Sequence, residues 1–250
     1  MGDEFKRQDF PSYVWGLTLA VRPSILVGML RDQSRTSQRT AMSRDPARTR
    51  ERLLEAAFHE MHRSGFRSAD VNEILAAAGV TKGALYHHFD SKEALGHAVA
   101  DEIIASKVHR KWVQPLRNAK NPIDVLVRII RSESVEKEDV RRGCYLLNLS
   151  QEMSGLDEGF RRRTARVYKD WHDAVAEALR EGQKSRVVRS DINANETAMF
   201  VLAAWEGYAV LSKNSQDPRM LESGQRSIVR FLESLRGKGG PPKGRRIKTT

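Results

Sequence analysis

Asp70-Val71-Asn72-Glu73-Ile74-Leu75-Ala76-Ala77-Ala78-Gly79-Val80-Thr81-Lys82-Gly83-Ala84-Leu85-Tyr86-His87-His88-Phe89 is the stretch whose reading decides the fold. Val71, Ile74, Leu75 and Ala78 recur at the spacing of one buried helix face, so the first half predicts a short helix. Asp70 stands where an N-cap belongs, and Glu73 three residues on completes a capping box that satisfies two orphan amides. Gly79 can take the left-handed backbone that ends a helix, with Val80 turning into the core. Thr81 is a second N-cap and opens a helix that buries Leu85 and Phe89. Lys82, Gly83, Tyr86 and His87 then share the opposite face. Two crossed helices this short cannot bury enough surface alone, so flanking helices must complete the unit. The pattern is a helix-turn-helix, whose second helix enters the major groove of DNA.

The longer run Gly79-Val80-Thr81-Lys82-Gly83-Ala84-Leu85-Tyr86-His87-His88-Phe89-Asp90-Ser91-Lys92-Glu93-Ala94-Leu95 resembles the DNA-binding signature of the tetracycline-repressor (TetR) family. The resemblance implies an all-α fold of about nine helices. A three-helix helix-turn-helix domain over 44–97 would precede a helical ligand-binding and dimerisation domain over 98–235. It also implies a homodimeric repressor that leaves a palindromic double-stranded operator when a small-molecule effector binds the C-terminal domain. The alternative is a DNA-bound structural or interaction protein on the same fold, with no effector.

Composition narrows the setting. The 250 residues carry a single cysteine, Cys144, which excludes an internal disulfide framework and suits a reducing cytoplasm. No apolar run approaches the ~20 residues of a spanning helix, and Arg22-Pro23 separates the two apolar patches near the N-terminus. The net charge of +11 invites a nucleic-acid reading, but its location does not support one. Residues 44–97 hold eight basic and eight acidic groups, whereas 236–250 hold six basic and none acidic. Placement must therefore carry the case, with Arg44, Arg48, Lys82 and Lys92 on the expected phosphate side.

Taken in order, residues 1–43 fall outside the family pattern and read as an extension ahead of a natural start at Met42, with a functional arm as the alternative. They do not form a convincing signal peptide. The first helix spans Pro46 to Ser64, with Leu53, Leu54, Ala57, Phe58 and Met61 on one face. A carboxylate beside phosphate would be repelled, so Asp70 caps rather than touches DNA. Lys82 can neutralise phosphate or reach a guanine edge, and the Gly83 amide can approach the backbone closely. Tyr86 and His87 reach phosphate or base, while His88 packs within the domain. Thr81 belongs to the same surface. Ser91 caps the next helix and Lys92 sits at its start, another phosphate candidate.

That fourth helix continues past Val99, Ile103 and Val108 toward Trp112, limited by Pro115, and forms a lever between head and core. Further helices are expected over 122–135, 143–153, 157–185, 193–211 and 220–235, with a charged loop at 136–142 and Arg161-Arg162-Arg163 solvated. By resemblance, the last two helices form the dimer interface. The tail 236–250 should be disordered, serving non-specific DNA affinity or solubility.

No enzyme constellation emerges. There is no Gly-rich phosphate loop, no metal-ligand set and no implied cofactor. Resemblance points instead to an effector pocket, for which Cys144, Tyr145, Asn148, Met153, Trp171, His172, Phe200, Trp205 and Tyr208 are the candidates, with core packing as the alternative for each. The Gly143-Cys144 pair is similar to that of a TetR subgroup that includes electrophile-sensing repressors. A thiol at a helix N-terminus is expected to have a lowered pKa, with Lys213 placed to stabilise the thiolate; otherwise Cys144 is a small buried hydrophobe.

Overall fold

A computed structural model describes residues 45–237; the N-terminal extension, Arg44 and the tail beyond Gly237 lie outside the described residues. Helix α1 (Pro46–Ser64) has the expected bounds and buries the expected face. Asp45 starts it, its Oδ1 accepting from the amides of Ala47 and Arg48 at 3.0 and 3.2 Å. Helices α2 (Val71–Ala78) and α3 (Lys82–His88) follow. Gly79 joins them with φ 61°, and Val80 donates back to the Leu75 carbonyl at 3.1 Å. The left-handed cap is thus as the sequence required.

The capping box forms only in half. Asp70 accepts from Asn72 N at 2.7 Å, but its own amide donates to Glu60 Oε1 at 3.4 Å rather than to Glu73. Glu60 is a buried acid on α1, held by Arg63 and Ser64. A tertiary acceptor has displaced the local one.

Helix α4 starts at Lys92 and keeps right-handed helical geometry to Val113, but its hydrogen bonding changes twice. Val99–Ile104 and His109–Val113 are π-helical turns, and a 3₁₀ turn, Gln114–Leu116, ends it at Pro115. Then come α5 (Pro122–Arg131), α6 (Lys137–Arg142), α7 (Tyr145–Met153), α8 (Glu158–Lys184), α9 (Ala194–Ser215) and α10 (Pro218–Ser234). The expected charged loop at 136–142 is instead the short helix α6. Glu138 pairs with Arg141 and Arg142 one turn on, which supports a helix despite the polar composition.

One continuous core joins α1–α3 to the later helices. Trp171 and Phe160 of α8 are its largest fully buried side chains. Arg236 does not belong to a free tail. It pairs antiparallel with Val188, and its guanidinium reaches Asp124 and Glu233. Of the arginine triplet, Arg161 and Arg162 face outward to Glu158, while Arg163 joins Arg166 on Asp101 of α4.

Candidate nucleic-acid interface and effector cavity

Burial of Leu85 and Phe89 fixes which way α3 faces. Thr81, Lys82, Gly83, Tyr86 and His87 are all exposed, and Tyr86 keeps 47% of its surface open. Thr81 Oγ1 accepts from Ala84 N at 3.3 Å, which caps α3 and leaves its hydroxyl hydrogen available. Lys82 Nζ lies 6.0 Å from the Tyr86 ring centroid, so cation and aromatic present one surface. Gly83 has no internal reason to be glycine: an added Cβ would come no nearer than 3.9 Å to Thr81 Oγ1. A helical glycine costs about 1 kcal/mol relative to alanine, and here no contact among the described residues compensates.

Arg48 is exposed at the start of α1. Arg44, assigned to the same surface, lies outside the described residues. Lys92 is less free than the sequence suggested. It is half-buried, its Nζ donates to the Arg67 carbonyl at 3.0 Å, and it lies 5.2 Å from the Phe66 ring centroid. Arg52, which sequence reasoning passed over, holds the turn itself by donating to the carbonyls of Ala78 and Gly79.

The head is wired to the rest of the chain by specific bonds. Arg50 of α1 makes a two-pronged pair with Glu102 in the first π turn, both distances 2.6 Å. Glu152 of α7 accepts from the amides of Phe66 and Arg67 at 2.8 Å each. His97 of α4 lies 3.0 Å from Asp157, the N-cap of α8. His62 of α1 donates Nε2–H to the Gly143 carbonyl at 2.8 Å.

Behind that last bond lies a cavity of about 390 Å³. Its walls are aromatic. Trp112 stacks on Trp171 with centroids 4.5 Å apart, and Trp205 meets Trp112 at 6.0 Å. Tyr145 and Cys144 also border it, as does His62. Lys111, in the second π turn, lies 5.4 Å from the Trp112 centroid and 5.7 Å from that of Trp205, and it pairs with Glu133.

Of the nine residues assigned to a pocket, Cys144, Tyr145, Trp171 and Trp205 line this cavity. The other five lie elsewhere. Met153 is buried core at the end of α7. Asn148 bridges the Arg142 carbonyl and Lys213 Nζ. His172 clasps the start of α9 by donating to the Asn195 carbonyl at 3.2 Å. Tyr208 lies over Gly224, where an added Cβ would fall 2.3 Å from its ring. Phe200 is 53% exposed and faces outward beside Phe231. Its placement has a simple cause: α9 is apolar almost all round, so periodicity could not say which side is inward.

The expected reactive thiolate is not supported. Cys144 Sγ donates to Glu206 Oε1 at 3.4 Å, and burial together with that carboxylate pushes the thiol well above its ordinary range. Lys213 is engaged by Asn148 at 2.9 Å. Glu206 itself is 6% exposed, and burial lifts its carboxyl to about 7. A lone acid in the apolar run of α9 was the signal available in the sequence. For His62 and Lys111 there was none, because both meet the cavity through contacts distant in the chain.

Comparison with known proteins follows the same division. Residues 53–99 match the family model described as bacterial regulatory proteins, tetR family. Residues 127–228 match that described as tetracyclin repressor-like, C-terminal domain. The chain is 28% identical over 188 residues to the HTH-type transcriptional repressor DhaR of Mycobacterium sp. (strain GP1), covering 72% of this chain and 89% of the relative. It is 30% identical over 184 residues to an uncharacterised HTH-type transcriptional regulator in the lacX 3' region of Lactococcus lactis subsp. lactis, covering 70% and 88%. Among solved structures, the regulatory protein TetR from Rhodobacter sphaeroides superposes with a TM-score of 0.64 at 30% identity, covering 72% of this chain and 96% of that one. The reduced form of E. coli NemR gives 0.64 at 24% identity, covering 76% and 97%.

Proposed function

The chain belongs to the tetracycline-repressor family and is a DNA-binding transcriptional regulator, and from that premise we propose that it is a homodimeric repressor whose operator is read by α3 and released by a small molecule in the tryptophan-walled cavity. One observation carries the reading of DNA: Lys82, Gly83, Tyr86 and His87 share one exposed face, with Gly83 unexplained by any contact among the described residues. Absence of a side chain there suits close approach of a phosphate or base edge. Thr81 and Arg48 flank that face, and Lys92 contributes only if it leaves Arg67.

The dimer is read from α9. Met199, Phe200 and Leu211 are exposed and share a stripe with Ala203 and Gly207, where an added Cβ would meet nothing within 4 Å. A helix apolar on its inner and outer faces is suited to burial on both. A second copy on α9 and α10 supplies that burial and sets two reading heads for a near-palindromic site.

Release is read from the cavity walls. His62 belongs to the head and Lys111 and Trp112 to a π turn of α4, so an occupant presses on both routes to the DNA. Irregular π turns are places where a helix can change register at low cost. The effector drives release only if it binds the non-operator arrangement more tightly than the operator-bound one. With its target on the chromosome, the protein works in the cytoplasm.

A titration of the DNA upstream of its own gene tests this reading. Saturation at two chains per palindromic duplex is expected. Saturation at one chain, or binding insensitive to scrambling of one half-site, overturns it.

A further inference from the structure

Among its own seven residues, α3 buries a single side chain, Leu85. A helix this short has little stability by itself, and one buried anchor leaves it free to pivot. Its line across the head must therefore be set at its two ends. Both ends meet an arginine of α1.

At the entry, Arg52 donates to the carbonyls of Ala78 and Gly79, the latter at 3.0 Å. A helix leaves such C-terminal carbonyls without an internal donor, and Ala78 is buried, where a carbonyl needs a partner. The approach is close: a Cβ added at Gly79 would fall 2.7 Å from Arg52 Nη2. At the exit, Phe89 ends α3 with its ring buried, and the Arg50 guanidinium carbon lies 5.3 Å from the ring centroid. Arg50 is held in turn by both oxygens of Glu102, at 2.6 Å each, and two parallel bonds fix its plane.

Neither guanidinium is placed as a phosphate contact. Arg50 already faces a carboxylate that would repel phosphate, and Arg52 is engaged by the turn it spans. The side chains of Arg50 and Glu102 are 37% and 43% exposed, so their pair adds little to global stability. What it supplies is geometry.

We propose that Arg50 and Arg52 are positioning residues for DNA reading. They pin the two ends of α3 to α1 and so set how sharply the operator is told from other sequences, without touching DNA themselves. The inference rests on α3 being the reading helix, as set out above.

The test compares Arg50→Gln and Arg52→Gln with the unaltered full chain on two duplexes, the palindromic DNA upstream of its own gene and the same duplex with both half-sites scrambled. Each variant should lose about tenfold or more in preference for the palindrome. Affinity for the scrambled duplex, and its salt dependence, should stay as they were. Arg50→Glu should behave like Arg50→Gln, and adding Glu102→Arg to it should restore preference by rebuilding the pair in reverse. An unchanged preference in both variants overturns the proposal. So does a salt slope lowered by about 1 per head, which marks a direct phosphate contact.

Hydrogen exchange without DNA supplies a second arm. The amides of Leu85 and Phe89 close α3 onto the carbonyls of Thr81 and Leu85. In both variants they should exchange about tenfold faster or more, while the α8 amides keep their rates. Unchanged exchange at Leu85 and Phe89 overturns the proposal whatever the DNA result. Faster exchange in variants of a chain that never prefers the palindrome would overturn the reading of DNA and leave the pinning of α3 standing.

Discussion

His62 Nε2 lies 2.8 Å from the carbonyl oxygen of Gly143, so the first helix of the DNA-reading head is itself part of the cavity wall. A carbonyl only accepts, so Nε2 carries the proton. Burial lowers the His62 pKa, the bond to Gly143 opposes that shift, and the charges of Arg142 and Lys213 reinforce it. A histidine whose folded pKa lies below its unfolded value contributes stability that is full above the unfolded pKa. That contribution is lost as pH falls through the folded pKa. The thermal midpoint is therefore expected to drop between about pH 7 and about pH 5. In His62→Gln, whose side-chain amide keeps a donor for Gly143, this component should disappear from the pH profile.

Glu206 produces the opposite slope. Its carboxyl is raised to about 7 by burial, with the Cys144 bond and Lys111 pulling the other way. A carboxyl raised on folding favours the native state below its unfolded pKa, and that advantage is lost as pH rises through about 7. Glu206→Gln keeps an acceptor for Cys144 and removes the titration. Its stability should be higher than that of the unaltered chain at about pH 8, by at most about 3 kcal/mol, and the gap should narrow toward about pH 5. Urea unfolding across this range measures it.

Packing beneath the head gives a sharper test. A Cβ added at Gly96 would fall 2.5 Å from Phe66 Cε2 and 2.7 Å from Phe160 Cζ. Both rings are buried and packed against each other at a tilt, with centroids 4.6 Å apart, so neither can give way freely. Gly96→Ala should cost about 1–3 kcal/mol in chemical denaturation. Gly155→Ala, where the added Cβ meets nothing within 4 Å, should change stability by less than about 0.5 kcal/mol.

The outward stripe of α9 predicts a change of assembly rather than of fold. Phe200→Glu combined with Leu211→Glu places two charges where the partner's apolar face would lie. Sedimentation should show monomers with undiminished helical content, and operator affinity should fall because the two heads are no longer joined.

The helix-turn-helix was legible because short-range rules decide it. Caps at Asp70, Thr81 and Ser91, the left-handed Gly79 and the buried set from Leu53 to Phe89 are all local choices that agree with one another. Long-range contacts were not legible. Nothing near Asp70 announces that Glu60 takes its amide, and nothing near Lys92 announces the Arg67 carbonyl. The pocket was half legible for the same reason. Aromatic residues were recognisable as a set, but Phe200 and Tyr208 could be placed only once the rotation of α9 was known. Trp112 stood in the sequence merely as the end of a lever, yet it is the ring on which Trp171 stacks. The π turns that carry Lys111 and Glu102 have no sequence mark at all.

The most direct measurement is the affinity of Lys82→Ala and Tyr86→Ala for the operator, set beside that of the unaltered chain at several salt concentrations. Both side chains are exposed and make no hydrogen bond among the described residues, so each variant should unfold at the same temperature as its parent. Lys82→Ala should weaken binding about tenfold or more and, if it meets phosphate, lower the salt slope by about 1 per head. Tyr86→Ala should weaken binding with little change in slope. Undiminished affinity in both variants would contradict the assignment of α3's outer face as the surface that reads DNA.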